Sequence, residues 1–260
     1  KVAYITVNSS GYVWIAATTK NASDGYNVNV TYTNSPGDIS EWGTPQTMRS
    51  SDVSNEYVYP IVLPFNSTDM YVVWYADGYI EGREHNSSGW RSVDSIDVTN
   101  SGASNKGPSA VAEAGNIHLV YINSSGYANY SKYTGSWSYV NLDSSDTARS
   151  PTITLESSSP ALYVLWINSS NQIVGEYSID GGTSWNTMTG ITTNTTAKGN
   201  LTSIYSCNLS DIAWEFDSST KIKFEPIPEF TDVMIPIASV AVLVLFWRRR
   251  NHEGEAEEEA

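Results

Sequence analysis

An all-β fold built from repeated four-stranded units is predicted for this chain by three observations. First, aromatic residues recur inside short apolar runs at Trp14, Trp74, Tyr121, Trp166 and Trp214, spaced 60, 47, 45 and 48 residues apart. Second, the flanking text recurs with them, as Tyr71-Val-Val-Trp-Tyr, His118-Leu-Val-Tyr-Ile, Tyr163-Val-Leu-Trp-Ile and Asp211-Ile-Ala-Trp-Glu. Third, a second Trp follows the first four marks, at Trp42, Trp90, Trp137 and Trp185, lagging by 28, 16, 16 and 19 residues. A repeat of about 40 to 50 residues made of short strands is the signature of a β-propeller, in which each blade covers its faces by stacking on its neighbours.

The units parse in order. The first starts at Ala3, the second at Tyr59 and the third at Ser109. In the fourth, Thr152–Leu155, Leu162–Ile167, Ile173–Ser178 and Ser184–Met188 read as four strands, with Ile153/Leu155 and Tyr163/Leu165 alternating as a sheet between two neighbours requires. The fifth supplies only Leu201–Ser206, Asp211–Phe216 and Ile222–Glu225, and it has no second Trp. The prediction is therefore four complete four-stranded blades plus a three-stranded partial fifth, over residues 1–227. Propellers close by borrowing an outer strand from the other chain end, so an upstream segment with an export signal and a closing strand is expected before Lys1.

Composition agrees with many short strands joined by polar turns: only 16% of residues are charged, while Gly, Ser, Thr, Asn and Tyr are abundant. Cys207 is the one cysteine, which excludes an intrachain disulfide framework and a multi-cysteine zinc site. His85 and His118 lack metal-ligand spacing, and no cofactor motif is present. The net charge of −14 argues against nucleic acid as a partner. Eleven Asn-x-Ser/Thr sequons are glycosylation candidates: Asn8, Asn21, Asn29, Asn66, Asn86, Asn123, Asn129, Asn168, Asn194, Asn200 and Asn208. Their density points to a domain outside the cell.

A membrane anchor is expected at residues 228–250. Val233 to Trp247 carries no charge and is followed at once by Arg248-Arg249-Arg250. With Phe230 and Thr231 the span approaches the ~17 residues needed to cross a bilayer core as a helix. The arginines place residues 251–260, an acidic tail, in the cytoplasm and the propeller outside. The run Pro228-Glu229-Phe230, an apolar helix and basic residues resembles the tripartite C-terminal sorting or anchoring signals of archaeal surface proteins, which implies an archaeal cell membrane.

Between the third and fourth strands of the fourth unit lies Ser178-Ile-Asp180-Gly-Gly182-Thr-Ser184-Trp185. This segment resembles the Asp-box, S-x-D-x-G-x-[ST]-W, of the BNR-repeat sialidase superfamily. Asp180 is suited to accept turn amides, Gly181 and Gly182 to positive φ, and Trp185 to lock the hairpin into the blade core. Partial copies end at Trp42, Trp90 and Trp137 and keep the Trp without the aspartate. The resemblance implies a structural role for Ser178, Asp180, Gly182, Ser184 and Trp185.

Ligands are expected on the face opposite the Asp-box turns. There the inter-blade connections carry Lys106, Arg149 and Lys198 at equivalent points. They read either as a ring that attracts an anion or as recurrent solvated turn residues, and the second reading is preferred. Sialidases of the resembled superfamily use an arginine triad, a Tyr/Glu pair and an aspartate. Arg49, Arg83, Arg91 and Arg149 do not lie in the superfamily's Phe/Tyr-Arg-Ile-Pro strand. Asp77, Glu81 and Glu84 are expected in a solvated hairpin, His118 packed on its strand, and Tyr12, Tyr26, Tyr79 and Tyr127 near turns where they can touch glycans. Two functions follow. The first is a noncatalytic, membrane-anchored surface glycoprotein that binds a glycan or protein. The second is a sialidase-like glycoside hydrolase with part of its active site upstream of residue 1.

Overall fold

The computed structural model describes residues 3–20, 25–51, 58–98, 107–156, 159–188, 201–203, 206–207, 213–216 and 222–225. These residues are strands and turns. Blade 1 comprises β1 (Ala3–Val7), β2 (Val13–Lys20), β3 (Tyr26–Ser35), β4 (Asp38–Trp42) and β5 (Gln46–Ser51). Blade 2 comprises β6 (Tyr59–Pro64), β7 (Met70–Ala76), β8 (Tyr79–Asn86), β9 (Gly89–Trp90) and β10 (Asp94–Val98). Blade 3 comprises β11 (Ser109–Glu113), β12 (Asn116–Ile122), β13 (Ala128–Tyr133) and β14 (Trp137–Asn141). Blade 4 holds β15 (Arg149–Glu156), β16 (Leu162–Ile167), β17 (Ile173–Ser178) and β18 (Asn186–Thr187). Next come β19 (Leu201–Ser203), β20 (Ser206–Cys207), β21 (Ala213–Phe216) and β22 (Ile222–Glu225).

Strand starts at Ala3, Tyr59 and Ser109 agree with the sequence reading, and each blade is an antiparallel meander. The strands differ from that reading in four units. In blades 1 and 2 the third strand pairs with two successive segments, giving five strands each. In blade 4 the fourth strand shrinks to two residues because the Asp180 turn takes up the preceding stretch. Of the expected strand Leu201–Ser206, residues 201–203 and 206 are described. Its first part pairs with β21, while Ser206 and Cys207 run parallel to Leu155 and Glu156 of blade 4. Inner strands of neighbouring blades converge, which brings such edges within ladder distance. The expected transmembrane helix at 228–250 lies outside the described residues.

Blade stacking follows from parity. In β7 every residue is buried, because alternate side chains serve opposite neighbours. Val72, Trp74 and Ala76 join Trp14, Ala16, Val28 and Val30 of blade 1. Tyr71, Val73 and Tyr75 join Ala110, Ile117, Leu119 and Tyr121 of blade 3. Blade 3 repeats the pattern toward blade 4 through Val120, Ile122 and Tyr130 against Ile153, Val164 and Trp166. Trp74, Tyr121 and Trp166 thus each face the preceding blade. Trp14 is different, for it faces the following blade.

In blades 2, 3 and 4 the second Trp works between blades rather than within one. Trp90 meets Trp14 of blade 1 at a ring separation of 6.3 Å. Trp137 meets Tyr71 of blade 2 at 5.8 Å and donates from Nε1 to its hydroxyl at 3.1 Å. Trp185 meets Tyr130 of blade 3 at 4.7 Å. Each hairpin is stapled to the blade before it. Trp42 instead folds onto its own turn, donating to the Ile39 carbonyl at 2.9 Å.

Candidate functional site: an aromatic cleft between blades 1 and 2

One end of the blades, here the lower face, carries the turns between first and second strands and between third and fourth strands. The upper face carries the second-to-third turns. At Asn8, Asn123 and Asn168 the same hairpin forms three times. The Asn amide donates to the carbonyl four residues on, and the side-chain Oδ1 accepts that residue's amide, from Tyr12, Tyr127 and Gln172 at 2.9, 3.0 and 2.8 Å. The fourth hairpin position needs positive φ and is filled by Gly11, Gly126 and Asn171. These sequons therefore serve the fold as turns. Asn129 is 3% exposed and donates to the Tyr121 hydroxyl at 3.1 Å, a packing that leaves no room for a glycan. Asn8 is buried as well. Asn66 is exposed, Asn29, Asn86, Asn123 and Asn168 are half-buried, and Asn21, Asn194, Asn200 and Asn208 lie outside the described residues.

On the lower face the junction of blades 1 and 2 opens into a cleft of about 200 Å³. Tyr12, Trp14, Tyr32 and His85 give it an aromatic wall, and Asn8, Ser10, Thr68, Asn86 and Ser87 a polar rim. Tyr32 stacks on Trp14 at 4.2 Å, and the His85 ring stands edge-on to Trp14 and Trp90 at 5.2 and 4.9 Å. Burial pushes the His85 pKa down, partly countered by Asp69, so the ring is neutral at pH 7. No Lys, Arg, Asp or Glu lines this cleft. Such a site offers stacking surfaces and uncharged hydrogen-bonding groups, with nothing to neutralise an anion. The space remains because the hairpin after β8 turns in two residues, Ser87-Ser88, between paired Asn86 and Gly89.

The junction of blades 3 and 4 has the same parts in a closed arrangement. Asp180 accepts from the Thr183 and Ser184 amides at 3.0 and 2.9 Å and from the Ser184 and Ser178 hydroxyls at 2.6 and 2.7 Å. The Ser184 hydroxyl and amide first, and then the Ser178 hydroxyl, hold its carboxyl well below the usual carboxylate range. Gly181 and Gly182 adopt φ of 65° and 84°. The turn lies on blade 3, where Lys132 Nζ donates to the Gly181 carbonyl at 2.8 Å and the Tyr130 hydroxyl fills the place a Gly182 Cβ would take. Behind it His118, 1% exposed, meets the Tyr130 hydroxyl through Nδ1 at 2.6 Å. Burial first and Lys132 second push the His118 pKa down to about 4.

Asp77 and Glu81 at the upper end of the β7–β8 hairpin, and Glu84 toward its lower end, do not form the expected solvated hairpin. Glu81 accepts from Trp74 Nε1 at 2.9 Å and from Arg49 Nη1 at 3.2 Å, while Arg49 Nη2 approaches Asp77 at 3.8 Å. Arg49 comes from blade 1, so the cluster bolts two blades together across a hairpin tip. Glu84, nearly buried, accepts from Arg91 at 3.1 Å, Asn86 at 3.0 Å and Tyr133 at 3.4 Å. Sequence reasoning missed this because two of the partners, Arg49 and Tyr133, sit on other blades. Arg149 donates to Asn171 Oδ1 at 2.8 Å within blade 4. Lys106 and Lys198 lie outside the described residues. Tyr12 does reach the cleft, whereas Tyr32 and His85 were not singled out for it.

No family model matches the sequence, and no curated protein is significantly similar to it. Solved structures are similar in fold. Aleuria aurantia lectin in complex with α-methyl-L-fucoside has a TM-score of 0.56 at 16% identity, the match covering 88% of this chain and 74% of the lectin. BP39L lectin from Burkholderia pseudomallei has a TM-score of 0.57 at 12% identity, covering 85% of this chain and 65% of that one. SapL1 lectin in complex with α-methyl fucoside has a TM-score of 0.56 at 14% identity, covering 86% and 75%. The class is thus an all-β propeller. Within that class the fold neighbours named here are lectins, at identities that speak to the fold alone.

Proposed function

We propose that this chain is a noncatalytic glycan-binding propeller and that a saccharide sits in the lower-face cleft between blades 1 and 2. The observation that carries this reading is the cleft's composition, four aromatic or imidazole rings beneath a rim of hydroxyls and amides. Carbohydrate C–H faces pack on aromatic rings while their hydroxyls pair with such a rim. The volume of about 200 Å³ is below the ~300 Å³ where drug-sized sites begin, and suits one sugar ring. Support comes also from the lectins of similar fold, two of them crystallised with a methyl fucoside. The noncatalytic reading is supported by Glu81 and Glu84, which are engaged with Trp74, Arg49, Arg91 and Tyr133. A hydrolase would need a carboxyl pair free to face the glycosidic bond.

The proposal includes attachment to the cell surface through residues 228–250, with residues 251–260 in the cytoplasm and glycans on exposed sequons such as Asn66. The hydrogen bonds of Asp180 support kinship with BNR-repeat propellers, and the C-terminal text supports an archaeal source. Binding is tested on a glycan array, followed by titration with methyl α-L-fucoside and with each array hit. Ser87→Tyr, at an exposed rim position, and Tyr32→Ala are each expected to weaken binding at least about tenfold, ~1.4 kcal/mol. Absence of any hit, or binding indifferent to both substitutions in folded protein, overturns the reading.

A further inference from the structure

We infer that Asn66 is an N-glycosylation site whose attached glycan covers the lower-face cleft, so that modification turns the cleft from open to occupied. The inference rests on the glycan-binding reading of that cleft. The polar rim consists of Asn8, Ser10, Thr68, Asn86 and Ser87. All five belong to Asn-x-Ser/Thr sequons, those at residues 8–10, 66–68 and 86–88. Three turns on two blades thus bring three acceptor sequences to one opening. An acceptor must lie on a surface loop, and the three asparagines differ in this. Asn8 is 7% exposed, with its Oδ1 accepting the Tyr12 amide. Asn86 donates from Nδ2 to Glu84 Oε1 at 3.0 Å, and Glu84 is nearly buried. Asn66 is exposed, as are Ser67 and Thr68 beside it.

The Asn66 side chain is fixed at the rim. Its Oδ1 accepts from the Thr68 and Asp69 amides at 2.8 and 2.9 Å and from the Thr68 hydroxyl at 3.2 Å. Its Nδ2 donates to Asp69 Oδ2 at 2.8 Å, and the Asp69 charge acts on the His85 ring in the cleft wall. The Ser9 hydroxyl donates to the Ser67 carbonyl, tying this loop to the blade 1 turn that carries Asn8 and Ser10. In the modification, Nδ2 of Asn66 bonds to C1 of a sugar carried on a lipid phosphate. The bond from C1 to the phosphate oxygen breaks, the amide gives up one proton and the lipid phosphate leaves. The second amide hydrogen remains for Asp69, so the turn survives with the sugar at the rim. A tether this short holds that sugar at an effective concentration of about millimolar, enough to displace a free saccharide bound weakly at a one-ring site.

The test compares two forms of the full chain, one exported from an N-glycosylating host and one unmodified from bacterial cytosol. Both are titrated with the strongest glycan-array hit of the unmodified form. Glycopeptide mass spectrometry should find Asn66 modified in the exported form, and its apparent affinity should be at least about tenfold lower. Asn66→Gln in the glycosylating host should restore binding. Ser88→Ala, which removes the 86–88 sequon but keeps the backbone amide that Asn86 Oδ1 accepts, should not. If Asn66→Gln misfolds, enzymatic trimming of the glycan on the folded wild-type chain replaces it. An exported chain with Asn66 unmodified, equal affinities of the two forms, or relief by Ser88→Ala alone overturns the inference and leaves the glycan-binding reading standing. An unmodified chain that binds no saccharide overturns both.

Discussion

The lower-face junctions of blades 1/2 and 3/4 are built from the same residues and end in opposite states. Each has a histidine beside a Tyr and a staple Trp, His85 with Tyr32 and Trp90 in one, His118 with Tyr130 and Trp185 in the other. At the first, a two-residue turn stops short and leaves a cleft open to solvent. At the second, the Asp180 turn spans Ile179 to Trp185 and lies across the gap. One hairpin's length decides whether the aromatic wall is open to solvent or part of the core. The difference teaches that the Asp180 turn seals its own junction, whereas the shorter turn of blade 2 leaves its junction open to solvent.

The largest test of this contrast uses two glycines at comparable turns. Gly182→Ala puts a methyl group inside the Tyr130 hydroxyl and keeps φ at 84°. It should cost more than about 3 kcal/mol, because backbone strain and overpacking act together. Gly89→Ala in blade 2 has φ of 94° but nothing within 4 Å. It should cost only about 1–2 kcal/mol, from backbone strain alone. Urea unfolding of both variants measures the gap. Equal costs would mean that the Asp180 turn does not press on blade 3 as described.

This contrast also marks what a sequence can carry. The strand starts at Ala3, Tyr59 and Ser109 were legible because period-two apolar text is local and is enforced by burial on both blade faces. The Asp180 turn was legible because its hydrogen bonds stay within seven residues. The cleft was not, since it is an absence of filling between two blades, assembled from turns at residues 8–12, 68 and 85–87. Glu81 was misjudged for the same reason. Its charge partner, Arg49, lies 32 residues away on another blade, so the local text showed only an acid near a turn.

A second test separates the two histidines by pH. His118 has a folded pKa of about 4 against 6.5 when unfolded, so its contribution is complete above pH 6.5. As pH falls from 6.5 to 4 the unfolded chain takes up a proton that the folded chain refuses, and stability drops, by about 3 kcal/mol at most. Denaturant midpoints across this window should show the loss, and His118→Gln should flatten it. His85 is lowered in the same direction but is only half-buried, so solvent screening shrinks its share. His85→Gln should leave the profile nearly unchanged. An equal flattening by both would erase the distinction between the open and the sealed junction.

The smallest expected effect concerns Glu176, which faces blade 3 from blade 4. Burial, with Asp143 adding to it, raises its pKa to about 7 from 4.5. The sign is opposite to that of His118. The folded chain takes up this proton as pH falls below about 7, whereas the unfolded chain waits until near 4.5, so stability rises over that interval. Between pH 6.5 and 4.5 the two groups therefore oppose each other across one junction. His118 dominates, because it is almost wholly buried while Glu176 is half in solvent, where screening holds its share to under about 1 kcal/mol. Glu176→Gln removes the opposing slope and should make acid unfolding of the wild-type His118 background steeper. The same substitution in the His118→Gln background should leave a nearly level profile, and a profile that still falls would locate the acid sensitivity outside this junction.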